Sequence, residues 1–493
     1  MHKSLKLVAL MAAVTVAVWA LTIWHWQRTQ RMVTTSDLVL YLLVLPLLAV
    51  VALWAGRRAL SRRAGTAVAV PAGAAAASAS AAGAAAPTAA AQDRPQPALV
   101  LASALTLSIA TDAAGALAAL AEAKTLPELD PQLRDDEGFP LLTARAADLD
   151  TAPVDAALQD LLPALVARQP QWQGLEPSPA FVRALALLEA PLQEVLEACA
   201  AEWQAQQLPP DSLAPGRGAR LAPAVALVWA LPQHWSEPEQ ALARLWLHRT
   251  LKAQPLPQDV WQVQVHAAGS AEALFVHVEQ QFAAWRREQR PGLLVALACD
   301  SSLDEARVQL LLREGALQTS RQPKGVVPGE AGAAVLLATP TWPVTQADPA
   351  RVPRLQPVAI RRRDKSADAA GRIDGSTLAQ AAETAMGSAA LEPAQCGRVI
   401  SDVDLRASRS SELADVMLQH LPDLDAGEQV VRLGLACGDL GVARGLCCLA
   451  LAAESVRSEE QPVLVTTAMH PHDRAAFALT LNPEPGAGAG PAA

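Results

Sequence analysis

Ser270 closes the small-residue turn Ala267-Ala268-Gly269-Ser270 and opens a helical stretch at 271–287. A serine there can act as a nucleophile if a base stands beside it, and His266 is the nearest imidazole in sequence. His470 and His472 sit beside Asp473 in the turn MHPHD, a spacing found in metal sites. Two ligands on one turn fall short of a site, so a solvated turn is expected and no metal. Cys199, Cys299, Cys396, Cys437, Cys447 and Cys448 show no CxxC spacing, which predicts buried, reduced thiols without zinc or a disulfide framework. Arg406, Arg409 and Glu412 read as surface pairs of small weight. Gly325, Gly329 and Gly332 suit tight turns or close packing; no GxxxxGK[ST] or well-placed GxGxxG is present to cradle a phosphate, so no cofactor is expected.

These residues hang on a recurring pattern of apolar runs and amphipathic segments. The stretch 293–338 reads as strand, turn, helix, loop, strand, with Asp300-Ser301 at the first strand end and Pro328-Gly329-Glu330 feeding the second. Before it come strand candidates at 98–109, 223–231 and 260–265 and helices at 111–124, 156–166, 179–207 and 238–251. Trp229, Trp235 and Trp246 belong to core packing. The proline-rich crossover 339–375, with Arg361-Arg362-Arg363 as a solvated basic face, leads to a shorter second half. There a helix at 376–386, a strand at 398–402, a helix at 411–420 and the apolar helix 446–453 precede closing strands at 461–468 and 474–481.

The N-terminal region has a different character. Residues 7–24 and 38–54 are uncharged apolar runs long enough to span most of a bilayer. Lysines before the first and arginines after the second favour both ends in the cytoplasm. Residues 1–63 are therefore read as a transmembrane hairpin and 64–97, rich in Ala, Gly and Pro, as a flexible tether. Residues 98–340 and 341–482 form two halves of the main domain, and 483–493 a disordered tail. With 40 basic against 49 acidic residues and no basic stripe, nucleic acid is not an expected partner.

Asp300-Ser301, Pro328-Gly329-Glu330, the phrase 401–406 running on to Glu412, and Gly438-Asp439-Leu440-Gly441-Val442-Ala443-Arg444-Gly445 together resemble the β-ketoacyl synthases of the thiolase superfamily. The resemblance covers about 98–481. It implies an α/β thiolase-like fold of two similar halves, layered α/β/α/β/α, in a protein that dimerises by joining central sheets. Active members carry a cysteine at the turn before a buried helix and two histidines in the second half. The matching positions here are Gly269 or Ser270, Asp404 and Asp439, none of them a cysteine or histidine. An ionised Asp439 would repel a developing oxyanion.

The expected function is therefore a binding, adaptor or scaffold module, anchored in a bacterial inner membrane with its main domain in the cytoplasm and a protein as partner. The layout is also similar to membrane-anchored, lipase adapter-like accessory proteins of type VI secretion. The alternative is an active condensing enzyme or acyltransferase on acyl thioesters, using Ser270 or another residue.

Overall fold

The computed structural model describes residues 95–122, 126–207, 223–345 and 348–481. The expected spans 7–24 and 38–54, nearly all of the tether and the tail lie outside the described residues. Among the described residues no helix is long and apolar enough to cross a membrane.

The chain opens with β1 (Ala98–Leu107), α1 (Ala113–Ala121) and a hairpin of β2 (Glu128–Arg134) and β3 (Pro140–Thr143). Next come α2 (Ala152–Arg168), α3 (Pro179–Gln207), β4 (Ala224–Pro232), α4 (Glu237–Lys252), β5 (Trp261–Ala268), α5 (Glu272–Glu288), β6 (Gly292–Ser301), α6 (Glu305–Arg313) and β7 (Glu330–Ala338). The crossover holds two short strands, β8 (Arg354–Leu355) and β9 (Ala359–Arg362), where the sequence reading placed none. The second half runs through α7 (Ser376–Ala389), β10 (Arg398–Ser401), α8 (Ala407–His420), β11 (Val430–Arg432), α9 (Leu433–Cys437), α10 (Arg444–Glu459), β12 (Val463–Thr467) and β13 (Asp473–Thr480).

Strand order repeats between the halves. In the first, β5, β4 and β6 are parallel and β7 is antiparallel to β6; in the second, β11, β10 and β12 are parallel and β13 is antiparallel to β12. Each half also places an earlier antiparallel strand against its last: β1 on β7, β9 on β13. The two-residue β8 pairs with both β1 and β13 and joins all of these strands into one hydrogen-bonded sheet. The expected boundary near 340 falls in the connection between β7 and β8.

The main strands are buried on both faces, so they read as continuous apolar runs. On β4, Ala224, Ala226, Val228 and Ala230 face one core while Val225, Leu227, Trp229 and Leu231 face another. The first core holds α5 and α10 against strands of both halves. The second packs α2, α3 and α4 against the first half's outer side, and a third packs α7 and α8 against β10, β12 and β13. Across the three cores the order is outer helices, first-half strands, α5 with α10, second-half strands, outer helices, with both sets of strands belonging to the one sheet.

α10 is buried at twelve of its sixteen positions, as a helix apolar on all sides must be. Small residues permit the close approaches. A Cβ on Gly332 of β7 would lie 2.4 Å from the Leu187 backbone of α3. Trp229 meets Trp235 and Trp246 in the outer core, as the sequence reading expected.

Candidate functional site: a polar cleft with an arginine at its centre

A cavity of about 1120 Å³ opens at the C-terminal ends of the parallel strands. Such ends collect sites in α/β folds because strand-to-helix turns converge there. Gln233 and His234 follow β4, Gly269 follows β5, Asp300 ends β6, and Met469 and His470 follow β12. Asp439, Gly441 and Arg444 come from the turn that opens α10.

Gly269 lines the cleft and Ser270 is not among its lining residues. A Cβ at Gly269 would lie 2.7 Å from Gln233 Oε1, so the glutamine carboxamide fills the space a nucleophile side chain would need. The Ser270–His266 pair does not form. Ser270 is buried and its hydroxyl makes no hydrogen bond among the described residues, while His266 stacks on His277 with ring centroids 3.7 Å apart.

Arg444 occupies the middle of the site. Its Nη1 donates to Asp439 Oδ1 at 3.0 Å, and its Nε lies 3.4 Å from Asp402 Oδ2. Burial works against the charge on Arg444, but Asp439, Glu272 and Asp402 outweigh it and raise the pKa. For Asp439 burial pushes upward and is overcome by Arg444, then Arg406 and the Gly441 N–H, so the carboxylate is held ionised. Asp402 goes the other way: burial, reinforced by Glu272, raises it to about 6 despite Arg444 and two backbone donors. Those donors are the N–H groups of Ala468 at 2.7 Å and Met469 at 3.2 Å. Glu272 accepts from Thr467 Oγ1 at 2.7 Å, and its other oxygen is buried without a hydrogen bond.

The sequence reading put Asp404 at this centre, and the structure corrects it to Asp402. Asp404 instead accepts from Arg406 N at 3.0 Å and Arg406 Nε at 2.7 Å; neither aspartate lines the cleft itself, and it is Asp402 that stands behind Arg444. Asp402 was passed over because two acidic residues flank Val403 and only the fold decides which one meets Arg444. Arg444 itself carried a signal. A cation at a helix N-terminus opposes the helix dipole and needs carboxylates to hold it there.

Asp300 is a cleft residue as well as a strand end. One oxygen accepts from the Val442 N–H at 3.1 Å, and the other lies 3.5 Å from His234 Nε2 without a hydrogen bond. Burial raises its pKa, partly offset by His234 and the Val442 N–H. Gly441, at φ +53°, makes this approach possible, since a Cβ there would sit 1.8 Å from Asp300 Oδ2. Ser301 and Glu330 are structural, as expected. Ser301 Oγ donates to Glu330 at 2.9 Å, Arg183 Nε donates to the same carboxylate at 2.8 Å, and so does the Ala146 N–H at 2.8 Å.

One further expectation is corrected and one extended. His470 stands on a partly exposed bend and also lines the cleft; its Nδ1 accepts from the Asp473 N–H at 2.9 Å. Arg409 and Glu412 are fully buried, not surface residues. Glu412 takes two bonds from Arg474, at 2.6 and 2.7 Å, and pairs with Arg363 at 2.8 Å; Arg409 pairs with Asp368 at 2.8 Å. The third arginine of the basic cluster, Arg363, is thus largely but not fully buried, while Arg361 and Arg362 are exposed. The partners are far apart in sequence and no local pattern announces them.

All six cysteines are buried and free. Burial raises the thiols of Cys199 and Cys437 to about 12 and those of Cys299, Cys396, Cys447 and Cys448 above their ordinary value. Among the described residues no three His, Cys, Asp or Glu side chains converge as metal ligands do. The cleft can therefore orient and hydrogen-bond a polar guest, with Arg307, Lys324 and His234 on its walls.

No protein-family model and no curated protein matches this sequence. Solved structures do match in fold. A ketosynthase from module 6 of the bacillaene synthase of Bacillus subtilis 168 superposes with a TM-score of 0.52 at 11% identity, covering 79% of this chain and 72% of that one. The oxazolomycin ketosynthase domain of Streptomyces albus gives 0.51 at 13% identity over 79% and 76%. The ishigamide ketosynthase/chain length factor gives 0.50 at 11% identity over 79% and 100%. The chain thus has the thiolase-like α/β fold seen in these ketosynthases.

Proposed function

We propose that this chain is a membrane-anchored, thiolase-like binding module, an adaptor or scaffold in which synthase chemistry is lost. The observation that carries this reading is Arg444, bonded to Asp439 and facing Asp402 where a synthase needs neutral imidazoles, beside a Gly269 whose missing side chain is replaced by Gln233. Positive charge pinned by carboxylates at that point cannot act as a general base, and the turn offers no nucleophile to the cleft.

Anchoring in a bacterial inner membrane, with the main domain cytoplasmic, rests on the apolar runs 7–24 and 38–54 and their flanking charges. A role beside type VI secretion rests on layout alone. A homodimer belongs to the same reading, and β5, a terminal strand of the sheet, is supported on one edge only.

The test is acyl loading. The purified full chain is incubated with acetyl-CoA, malonyl-CoA and acyl-acyl carrier protein and examined by intact mass. No covalent adduct and no decarboxylation are expected. An adduct that disappears in Ser270→Ala would overturn the reading.

A further inference from the structure

The β2–β3 hairpin is a separate two-stranded sheet with a small core of its own. Leu133 and Leu141 point inward onto Leu303, Val308, Leu311 and Leu317 of the α6 region. Asp130 fixes the hairpin from within: it accepts from Thr143 Oγ1 at 2.7 Å, Arg145 Nε at 2.8 Å and the N–H groups of Gln132 and Leu133, each at 2.9 Å. The hairpin is therefore held in place, and its outer face is a formed surface.

That outer face is apolar. Leu129 and Leu142 are cross-strand partners, and both are turned to solvent, 62% and 37% exposed. Leu126 and Phe139 extend the same hairpin with 65% and 59% exposure. Cross-strand leucines on a face without cover are a feature of sheets that meet a partner. The charged residues around them are mostly acidic. Between 126 and 142 there are five acidic side chains and one basic, with Asp135, Asp136 and Glu137 consecutive at the tip. Asp130 is matched by Arg145 and Glu137 by Arg321, while Glu128 and Asp136 are exposed and form no ion pair among the described residues.

We infer that the outer face of the β2–β3 hairpin is a docking surface for a protein segment that combines apolar side chains with lysine or arginine. The apolar patch supplies the contact area, and the acidic fringe selects the sign of the partner's flanking charges. An anionic membrane surface carries the wrong charge for this fringe. The surface lies on the hairpin, outside the cleft, so the inference does not depend on whether the cleft is catalytic.

The test uses the purified full chain in nanodiscs of zwitterionic lipid and two fluorescent peptides, one alternating leucine with lysine and one alternating leucine with glutamate. The lysine peptide is expected to bind at least ten-fold more tightly. The double variant Phe139→Ser/Leu142→Ser, with far-UV circular dichroism unchanged, is expected to lose at least ten-fold of that affinity. Glu128→Lys/Asp136→Lys is expected to lose several-fold, with a loss that shrinks in high salt as screening predicts. A photo-crosslinker at Leu129, in native membranes, should join to a protein segment bearing Lys or Arg beside apolar residues. Equal binding of the two peptides, wild-type affinity in the double serine variant, or crosslinks to lipid or to a second copy of this chain would each overturn the inference. None of these results bears on acyl loading, so the two readings fail separately.

Discussion

Arg444 lies at the head of a buried helix, where the backbone dipole disfavours a cation, and three carboxylates compensate it. Its removal is expected to be costly. Arg444→Met leaves Asp402, Asp439 and Glu272 without their counter-charge and should lower stability at neutral pH by about 3–5 kcal/mol, measured by urea unfolding. Asp402 offers a finer test. Its folded pKa of about 6 lies above the ordinary 3.8, so folding favours its protonated form. That contribution is complete below about pH 4 and is lost as pH rises through 6. Two pKa units correspond to about 3 kcal/mol. The stability difference between wild type and Asp402→Asn should thus move against the wild type by up to about 3 kcal/mol between pH 4 and pH 7. A difference that stays flat across this range contradicts the burial of an ionisable Asp402. The sequence brought Asp439 into view through its motif, yet it could not separate Asp402 from Asp404, because their roles differ only in which of them reaches Arg444.

At the scale of elements, most of the architecture was legible. Helices α3, α4, α5 and α7 and strands β4, β6, β7 and β13 lie within a few residues of their apolar periodicity, because burial on one or both faces writes the pattern directly. β8 and β9 were not legible: two and four residues are too short to carry a period, and β8 exists because β1 and β13 both offer it an edge. Packing between elements was equally silent. Gly332 reads as a glycine for a tight turn or for close packing; it serves packing, at the point where β7 meets the α3 backbone, and its partner there is what the sequence does not give. Gly332→Ala must part those elements and should cost about 3 kcal/mol or more in stability, read from the shift in unfolding midpoint. Glu330→Gln tests the same region through charge. It leaves the half-buried Arg183 without its anion and should destabilise by about 3–5 kcal/mol, with the secondary structure of the remaining fold retained.

For the molecule as a whole, the doubled strand order places one cleft at the C-terminal strand ends and leaves β5 as a terminal strand. If the proposed homodimer forms there, Val263→Lys, at a position 45% exposed, should shift the detergent-solubilised chain from dimer to monomer in sedimentation without altering its melting profile at high dilution. An unchanged dimer would place the contact elsewhere. The fold accommodates these surfaces around an interior that contains every thiol in the chain. That arrangement has a practical reach. Maleimide should not label the native protein, so a single cysteine introduced at Phe139 or Val263 would be its one reporter position. Distances, mobility and partner contacts could then be followed by spectroscopy at that point, with no need to strip the natural cysteines first.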